Sequence, residues 1–132
     1  FSRQDLLSCS ALLRRAKLVA GDFEDTIRHA RGRSLVYLDP PFAVRSRRLF
    51  WQYNHSSFGS EDMARLATSI RKLHNLGADF LVSYADCTES RELAKQWNSI
   101  RLPVRRHVAG FADNRRNAYE WLITNMTIPH DL

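Results

Sequence analysis

The stretch LVYLDPPFAV, residues 35–44, combines an apolar run with groups that can take part in chemistry. Asp39 follows the run directly, and Pro40, Pro41 and Phe42 come after it. Because proline lacks a backbone N–H and holds φ at roughly −65°, the two prolines predict the end of a strand and the start of a short rigid loop. That loop would hold one carboxylate and one aromatic ring in fixed positions.

The chemistry open to this loop is the recognition of an amino group on a flat ring. A carboxylate oxygen and a peptide carbonyl beside the prolines can each accept a hydrogen bond from the amino group, and an aromatic ring can stack on the heterocycle. Two acceptors would draw the nitrogen toward tetrahedral geometry and make its lone pair available to an electrophile. The alternative is a turn in which the prolines only terminate a strand.

The chain is basic. Its 132 residues carry a net charge of +6, from 20 Lys and Arg, most of them arginine, against 14 Asp and Glu, and its pI is near 9.9. Such a charge favours a polyanionic partner, with nucleic acid as the first candidate. A solvated basic surface without a partner is the alternative.

Length and composition predict a single soluble domain. Hydrophobic residues make up 44% of the chain, and the apolar runs are too short to span a membrane. The two cysteines, Cys9 and Cys87, form neither a metal-spaced cluster nor a disulfide framework. We therefore expect no metal site and a reducing, cytoplasmic setting.

Helical and strand patterns alternate along the chain. Helices are predicted at 4–16, 24–31, 60–76 and about 88–97, and strands at 17–20, 34–39, 79–85, 99–108 and 118–125. This alternation predicts an α/β fold with a mostly parallel sheet, covering helices, and one antiparallel strand from the final hairpin. Ligands of such sheets bind at the carboxyl ends of strands, where Asp22, Asp39 and Ser83–Tyr84 are expected to form a cleft.

The tetrapeptide DPPF after LVYL resembles the (Asp/Asn/Ser)-Pro-Pro-(Tyr/Phe/Trp) motif of amino-methyltransferases that use S-adenosylmethionine. The motif alone does not choose between adenine in DNA, adenine or guanine in ribosomal RNA, and glutamine in proteins. Four further segments resemble, in order, those of the Dam-type DNA adenine methyltransferases: AKLVAGDFEDTI, LFWQYNHSSFGSEDMARLATSIRKL, FLVSYADC and YEWLITN. The resemblance runs from about Phe1 to Asn125.

The resemblance implies roles for individual residues. Asp39 and the Pro40 carbonyl would accept hydrogen bonds from the amino group of a target adenine, and Phe42 would stack on the base. Asp22 and Phe23 would hold the adenine end of S-adenosylmethionine, with Asp22 accepting from its amino group. Since a base inside a duplex cannot present its amino group, the target must be flipped out.

The resemblance also implies contacts with DNA. The expected nucleic-acid-binding residues are one aromatic residue of the loop that closes over the site and two groups of arginines that would meet phosphates: Tyr53, then Arg45, Arg47 and Arg48, then Arg115 and Arg116. For any single arginine, an exposed position that meets only water is an equal alternative.

Parts of the family pattern are absent from these 132 residues. The five glycines, at 21, 32, 59, 77 and 110, are too far apart to form the glycine-rich cofactor loop. The resemblance implies a Rossmann-like sheet in the order 3-2-1-4-5-7-6 with helices on both faces, of which the chain supplies strands 3 to 7. We therefore expect a partial catalytic domain over 1–132, completed by a missing N-terminal portion or by self-association, and negligible turnover by the isolated chain.

Two other functions remain open from the sequence. One is a ribosomal-RNA base methyltransferase, because the motif with phenylalanine also occurs in such enzymes. The other is a catalytically dead basic module that binds nucleic acid, although such a module has no need of Asp-Pro-Pro-Phe at the end of a strand.

Overall fold

The computed structural model describes residues 2–41, 58–104 and 118–129. These residues form four helices and four strands: α1 (Arg3–Leu13), α2 (Phe23–Ile27), β1 (Leu35–Leu38), α3 (Ser60–Asn75), β2 (Asp79–Ala85), α4 (Thr88–Ala94), β3 (Asn98–Val104) and β4 (Ala118–Thr124). The predicted alternation is confirmed for every element except the strand at 17–20. In the described ranges, no helix is long and apolar enough to cross a lipid bilayer.

The four strands form one mixed sheet in the order β1-β2-β4-β3. The β1–β2 pair is parallel, whereas β2–β4 and β3–β4 are antiparallel. Numbering β1 to β4 as strands 4 to 7 of the implied sheet turns this order into 4-5-7-6. These are the last four strands of the order 3-2-1-4-5-7-6 that the resemblance implies. The expectation of a mostly parallel sheet is wrong for the described residues, because two of the three ladders involve the last strand of the hairpin.

Residues 17–20 do not form the strand that their apolar character predicts. Leu18 and Val19 are 82% and 63% exposed, and the described chain offers them no partner strand. A single strand without a ladder leaves its backbone groups unpaired, so apolar character alone does not make this segment a strand. The described part of the sheet therefore ends at β1.

The core lies between the sheet and the helices α2, α3 and α4. The stripe predicted for α3 is buried as expected: Met63, Leu66, Ile70 and Leu73. It packs with Phe80, Val82 and Tyr84, the alternate residues of β2 that point to one face of the sheet. Burial of each such side chain contributes about 1.5–3 kcal/mol. Gly77, with φ of 72°, ends the helix as predicted.

The other face of the sheet is not covered by any described helix. α2, α3 and α4 all contribute to the single core, and α1 buries none of its residues. On the opposite face, Leu35 and Tyr37 of β1 are 65% and 58% exposed. The predicted helices on both faces are therefore not found among the described residues, because the helices that follow β1 and β2 all pack against the same side.

Candidate active site

The candidate catalytic carboxylate lies at the carboxyl end of β1. The register pairs Tyr37 with Leu81 and Leu38 with Val82, and one further step brings Asp39 beside Ser83. The Ser83 hydroxyl donates a hydrogen bond of 2.9 Å to Asp39 Oδ1. The Tyr37 hydroxyl lies 2.9 Å from Ser83 Oγ. All three side chains point to the uncovered face, since residues two apart on a strand share a face.

The second oxygen of Asp39 receives no hydrogen bond from the described part of the chain. Asp39 is exposed, and no described residue donates a hydrogen bond to its Oδ2 or forms an ion pair with it. Pro40 is half-buried, and within the described ranges its carbonyl accepts no hydrogen bond. One carboxylate oxygen is thus anchored by Ser83, and the described residues leave the other oxygen and the neighbouring carbonyl available to an amino group.

The second candidate group surrounds Asp22, which begins helix α2. Asp22 Oδ1 accepts from the backbone N–H of Glu24 at 2.9 Å and from Arg65 Nη2 at 2.7 Å. Arg65 also contacts Asp62 at 3.0 Å and Glu24 at 3.3 Å. The hydrogen bonds from Arg65 and from the Glu24 backbone lower the pKa of Asp22, and the three carboxylates raise the pKa of Arg65.

Phe23 anchors this group to the core. The Arg65 guanidinium lies 4.8 Å from the centre of its ring, and the ring of Phe58 lies 6.2 Å away at a tilted angle. Phe58 in turn contacts Tyr84 of β2, with ring centres 6.1 Å apart. A chain of aromatic rings therefore fixes the start of α2 relative to the sheet.

The side chains around Asp22 provide part of a binding site for the amino group of a nucleobase. Oδ1 of Asp22 accepts two hydrogen bonds, but no described residue donates one to Oδ2, which can accept from an exocyclic amino group. The ring of Phe23 contacts Arg65 and Phe58 and so holds this segment against the core.

The structure brings Asp39 and Ser83 together, as predicted, but it holds Asp22 in a separate network. Ser83 and Tyr84 are neighbours in β2 and point to opposite faces of the sheet. Ser83 contacts the Asp39 group on the uncovered face, and Tyr84 contacts Phe58 on the helix-covered face. No hydrogen bond or ion pair in the described part of the chain joins Asp39 to Asp22.

A third network lies at the carboxyl end of β2, on the same sheet edge as Asp39. The Asp86 side chain is only 7% exposed and accepts hydrogen bonds from Arg91 of α4, Arg101 of β3 and the indole of Trp121 of β4. The hydrogen bond from Arg91 is the largest cause that lowers the pKa of Asp86, and Trp121 and Arg101 add to it. Asp86 therefore ties three elements together at this edge.

Sequence reasoning missed Tyr37, Arg65 and Asp86. A signal existed for Tyr37, because a residue two before Asp39 on a strand must share its face. No local pattern in the sequence pointed to Arg65 or Asp86, because each has partners far away along the chain, up to 43 residues in the case of Arg65.

Seven predicted site residues lie outside the described residues. They are the stacking aromatic and all the residues expected to contact DNA: Phe42, Arg45, Arg47, Arg48, Tyr53, Arg115 and Arg116. Their roles stay predictions.

Comparison with known proteins gives the family. The model of the D12 class N6 adenine-specific DNA methyltransferases matches residues 1–108, most of the chain. The chain therefore belongs to this family of DNA-modifying enzymes.

Three relatives illustrate the similarity. The Type II methyltransferase M.MjaIII of Methanocaldococcus jannaschii is 31% identical over 95% of this chain and 44% of its own length. The Type II methyltransferase M1.LlaDCHI of Lactococcus lactis subsp. cremoris is 29% identical over 83% of this chain and 39% of its own length. A DNA adenine methylase of Vibrio cholerae is 29% identical over 98% of this chain and 47% of its own length. The chain spans less than half the length of these relatives.

Proposed function

We propose that this chain supplies the catalytic part of an enzyme that transfers a methyl group from S-adenosylmethionine to the exocyclic amino group of adenine in DNA. The observation that carries the proposal is the geometry of Asp39. One carboxylate oxygen is held by Ser83, and the other receives no hydrogen bond from the described residues, at the carboxyl end of a strand in a member of the adenine methyltransferase family.

Asp39 and the Pro40 carbonyl act on the target amino group. Each would accept a hydrogen bond from one of its two N–H groups, which would turn the nitrogen lone pair toward the methyl donor and reduce its conjugation with the ring. As the bond from the nitrogen to the methyl carbon formed, the bond from that carbon to the sulfonium would break. S-adenosylhomocysteine would leave as the neutral thioether, and one amino proton would pass to solvent. Phe42, directly after the prolines, stacks on the flipped base and holds it in this orientation.

Asp22 would bind the cofactor through Oδ2, to which no described residue donates a hydrogen bond. S-adenosylmethionine, when bound, supplies a methyl group made electrophilic by its sulfonium. Asp22 Oδ2 would accept from the amino group of its adenine, while Phe23 and Arg65 keep the start of α2 in place. The ionised state of Asp22 is favoured because the Arg65 hydrogen bond lowers its pKa.

DNA is held by the arginines of two basic segments. Arg45, Arg47 and Arg48 follow the catalytic loop, and Arg115 and Arg116 lie between β3 and β4 in the sequence. Each arginine that contacts a phosphate releases condensed counterions, so DNA affinity should fall steeply with salt, by a slope near −0.9 (roughly) for each contact. Tyr53 would contact the DNA, as the resemblance implies.

The site is completed by polypeptide outside these 132 residues. The chain contains no pair of nearby glycines to form the cofactor loop, and it spans only 39–47% of the relatives described above. Such a portion would cover two surfaces that the described residues leave bare, the sheet face with Leu35 and Tyr37 and the outer edge of β1. In this arrangement β1 to β4 form one end of a Rossmann-like sheet with helices on both faces.

The test compares two polypeptides. One is the 132-residue chain alone, and the other is the chain expressed with the coding sequence that precedes Phe1 in its genome. Each is incubated with labelled S-adenosylmethionine and either duplex DNA or ribosomal RNA. The proposal expects label on adenine N6 in DNA with the longer polypeptide and negligible label with the chain alone.

Three results would contradict the proposal. Label on ribosomal RNA but not on DNA would identify the alternative base methyltransferase. Binding of DNA by the folded longer polypeptide without any transfer would indicate a basic binding module. Robust transfer by the chain alone would show that the site needs no further polypeptide.

A further inference from the structure

We infer that Ser83 and Tyr37 are positioning residues for the catalytic carboxylate, acting as a two-step relay of hydrogen bonds that ends on Asp39. The inference rests on the proposed function, since it assigns the relay to the same adenine site. Neither residue belongs to the DPPF tetrapeptide.

The direction of the relay follows because Ser83 and Tyr37 each have a single hydroxyl proton to donate. An ionised carboxylate can only accept, so Ser83 must use its single hydroxyl proton in the 2.9 Å bond to Asp39 Oδ1. The contact of 2.9 Å between Tyr37 and Ser83 then requires the phenol to donate and Ser83 Oγ to accept. Both bonds point toward the carboxylate, and hydrogen bonds aligned in this way polarise one another.

Burial gives the relay a rigid centre. Ser83 is 6% exposed and lies within β2, between the ladders to β1 and β4. Tyr37 lies on β1, and Asp39 directly follows that strand. Because the relay spans two hydrogen-bonded strands, Asp39 Oδ1 is fixed relative to the sheet rather than to its own loop alone.

The consequence for the reaction is selectivity between the two oxygens of Asp39. Oδ1 already accepts from Ser83, whereas Oδ2 accepts from no described residue, so the relay assigns Oδ2 to the target amino group. Without Ser83 the carboxylate can rotate about its side-chain torsion and present either oxygen, and fewer encounters have the geometry needed for transfer. The relay therefore acts on the rate of transfer more than on the binding of DNA or cofactor.

The first experiment measures the hydrogen bond directly in the 132-residue chain. The carboxylate ¹³C resonance of Asp39 is compared at pH 7 in the unaltered chain, Ser83→Ala, Ser83→Thr and Ser69→Ala. Ser69 is a matched control, because it is 2% exposed and lies on α3. We expect the chemical shift of this resonance to change in Ser83→Ala and to be unchanged in Ser83→Thr and Ser69→Ala. An unchanged chemical shift in folded Ser83→Ala would overturn the relay.

The second experiment measures turnover in the longer, active polypeptide. Ser83→Ala should lower kcat at least roughly ten-fold, since a hydrogen bond to a charged acceptor is worth about that factor, and should leave KM for DNA and cofactor nearly unchanged. Ser83→Thr should restore kcat. Tyr37→Phe, at a position 58% exposed that tolerates the change, should lower kcat less than Ser83→Ala does.

The outcomes separate the relay from the proposed function. If kcat of Ser83→Ala stays within two-fold of the unaltered enzyme, or if kcat falls only in proportion to lost folded protein, the relay is wrong while the proposed function stands. If the longer polypeptide transfers no methyl group at all, the proposed function fails, and the resonance experiment still decides whether the relay exists.

Discussion

Arg65 of α3 and Asp22 at the start of α2 are joined by a hydrogen bond of 2.7 Å across 43 residues of sequence. The same guanidinium contacts the ring of Phe23 and two further carboxylates, those of Asp62 and Glu24. One arginine therefore orients the whole segment that is proposed to meet the adenine end of the cofactor.

We expect Arg65→Ala to weaken binding of S-adenosylhomocysteine several-fold in the longer polypeptide, because the Asp22 carboxylate loses its anchor. Calorimetric titration measures the affinity. Arg71→Ala is the matched control, since Arg71 lies on the same helix and donates only to Gln96, at 2.6 Å, among the described residues. Equal affinities of the two variants would show that Arg65 does not position the cofactor segment.

Asp39→Ala should lower the rate of methyl transfer by roughly 10²-fold or more, the effect typical of removing one preorganised polar group from a reaction site. DNA affinity should change little, because the arginines are proposed to carry the phosphate contacts. Labelled-cofactor assays and gel-shift titrations measure the two quantities separately. Asp79→Asn is the control, because Asp79 is an exposed carboxylate at the opposite end of β2. Activity of Asp39→Ala near that of the control would contradict the assigned role.

Asp86→Asn should lower the free energy of unfolding by about 1–3 kcal/mol at pH 7, the usual loss for hydrogen bonds between charged groups. Arg91, Arg101 and Trp121 would all lose their charged acceptor. Urea unfolding followed by tryptophan fluorescence measures the change. Asp79→Asn again serves as the control, and we expect it to remain close to the unaltered chain.

The effect of Asp86 should depend on pH. Its pKa in the folded chain lies below the ordinary value of 3.8, so its stabilising contribution is full above that value and is lost as pH falls toward the folded pKa. The difference in unfolding free energy between the unaltered chain and Asp86→Asn should therefore be largest near neutral pH and shrink below about pH 4. A difference that stays constant down to pH 2 would contradict this linkage.

Leu66→Ala should lower the free energy of unfolding by about 2–5 kcal/mol, because Leu66 is 1% exposed and the surrounding core cannot fully close the cavity. Leu76→Ala is the matched control at the end of the same helix, where the side chain is 56% exposed. Thermal and urea unfolding measure both. Similar losses in the two variants would show that the α3 stripe is not the centre of the core.

The local elements of this protein follow from local sequence. The stripe of α3, its end at Gly77, the strand of β2 and the hairpin of β3 and β4 were all predicted, because periodicity and turn residues act over a few positions. The end of β1 at Leu38, just before Asp39 and the prolines, was predicted in the same way. Residues 17–20 show the limit of such reasoning, since their apolar pattern forms a strand only when a partner strand is present.

The sequence by itself determined the helices and strands of the described residues, the end of β1 before Asp39 and the likeness to a family of adenine methyltransferases. Only the tertiary structure decided that Ser83 and Tyr37 reach Asp39, that Arg65 anchors Asp22, that Asp86 joins three elements, and that the described helices cover one face of the sheet only. The physical reason is distance along the chain. Contacts between residues 15 to 46 positions apart depend on strand order, register and helix packing, none of which a local pattern specifies.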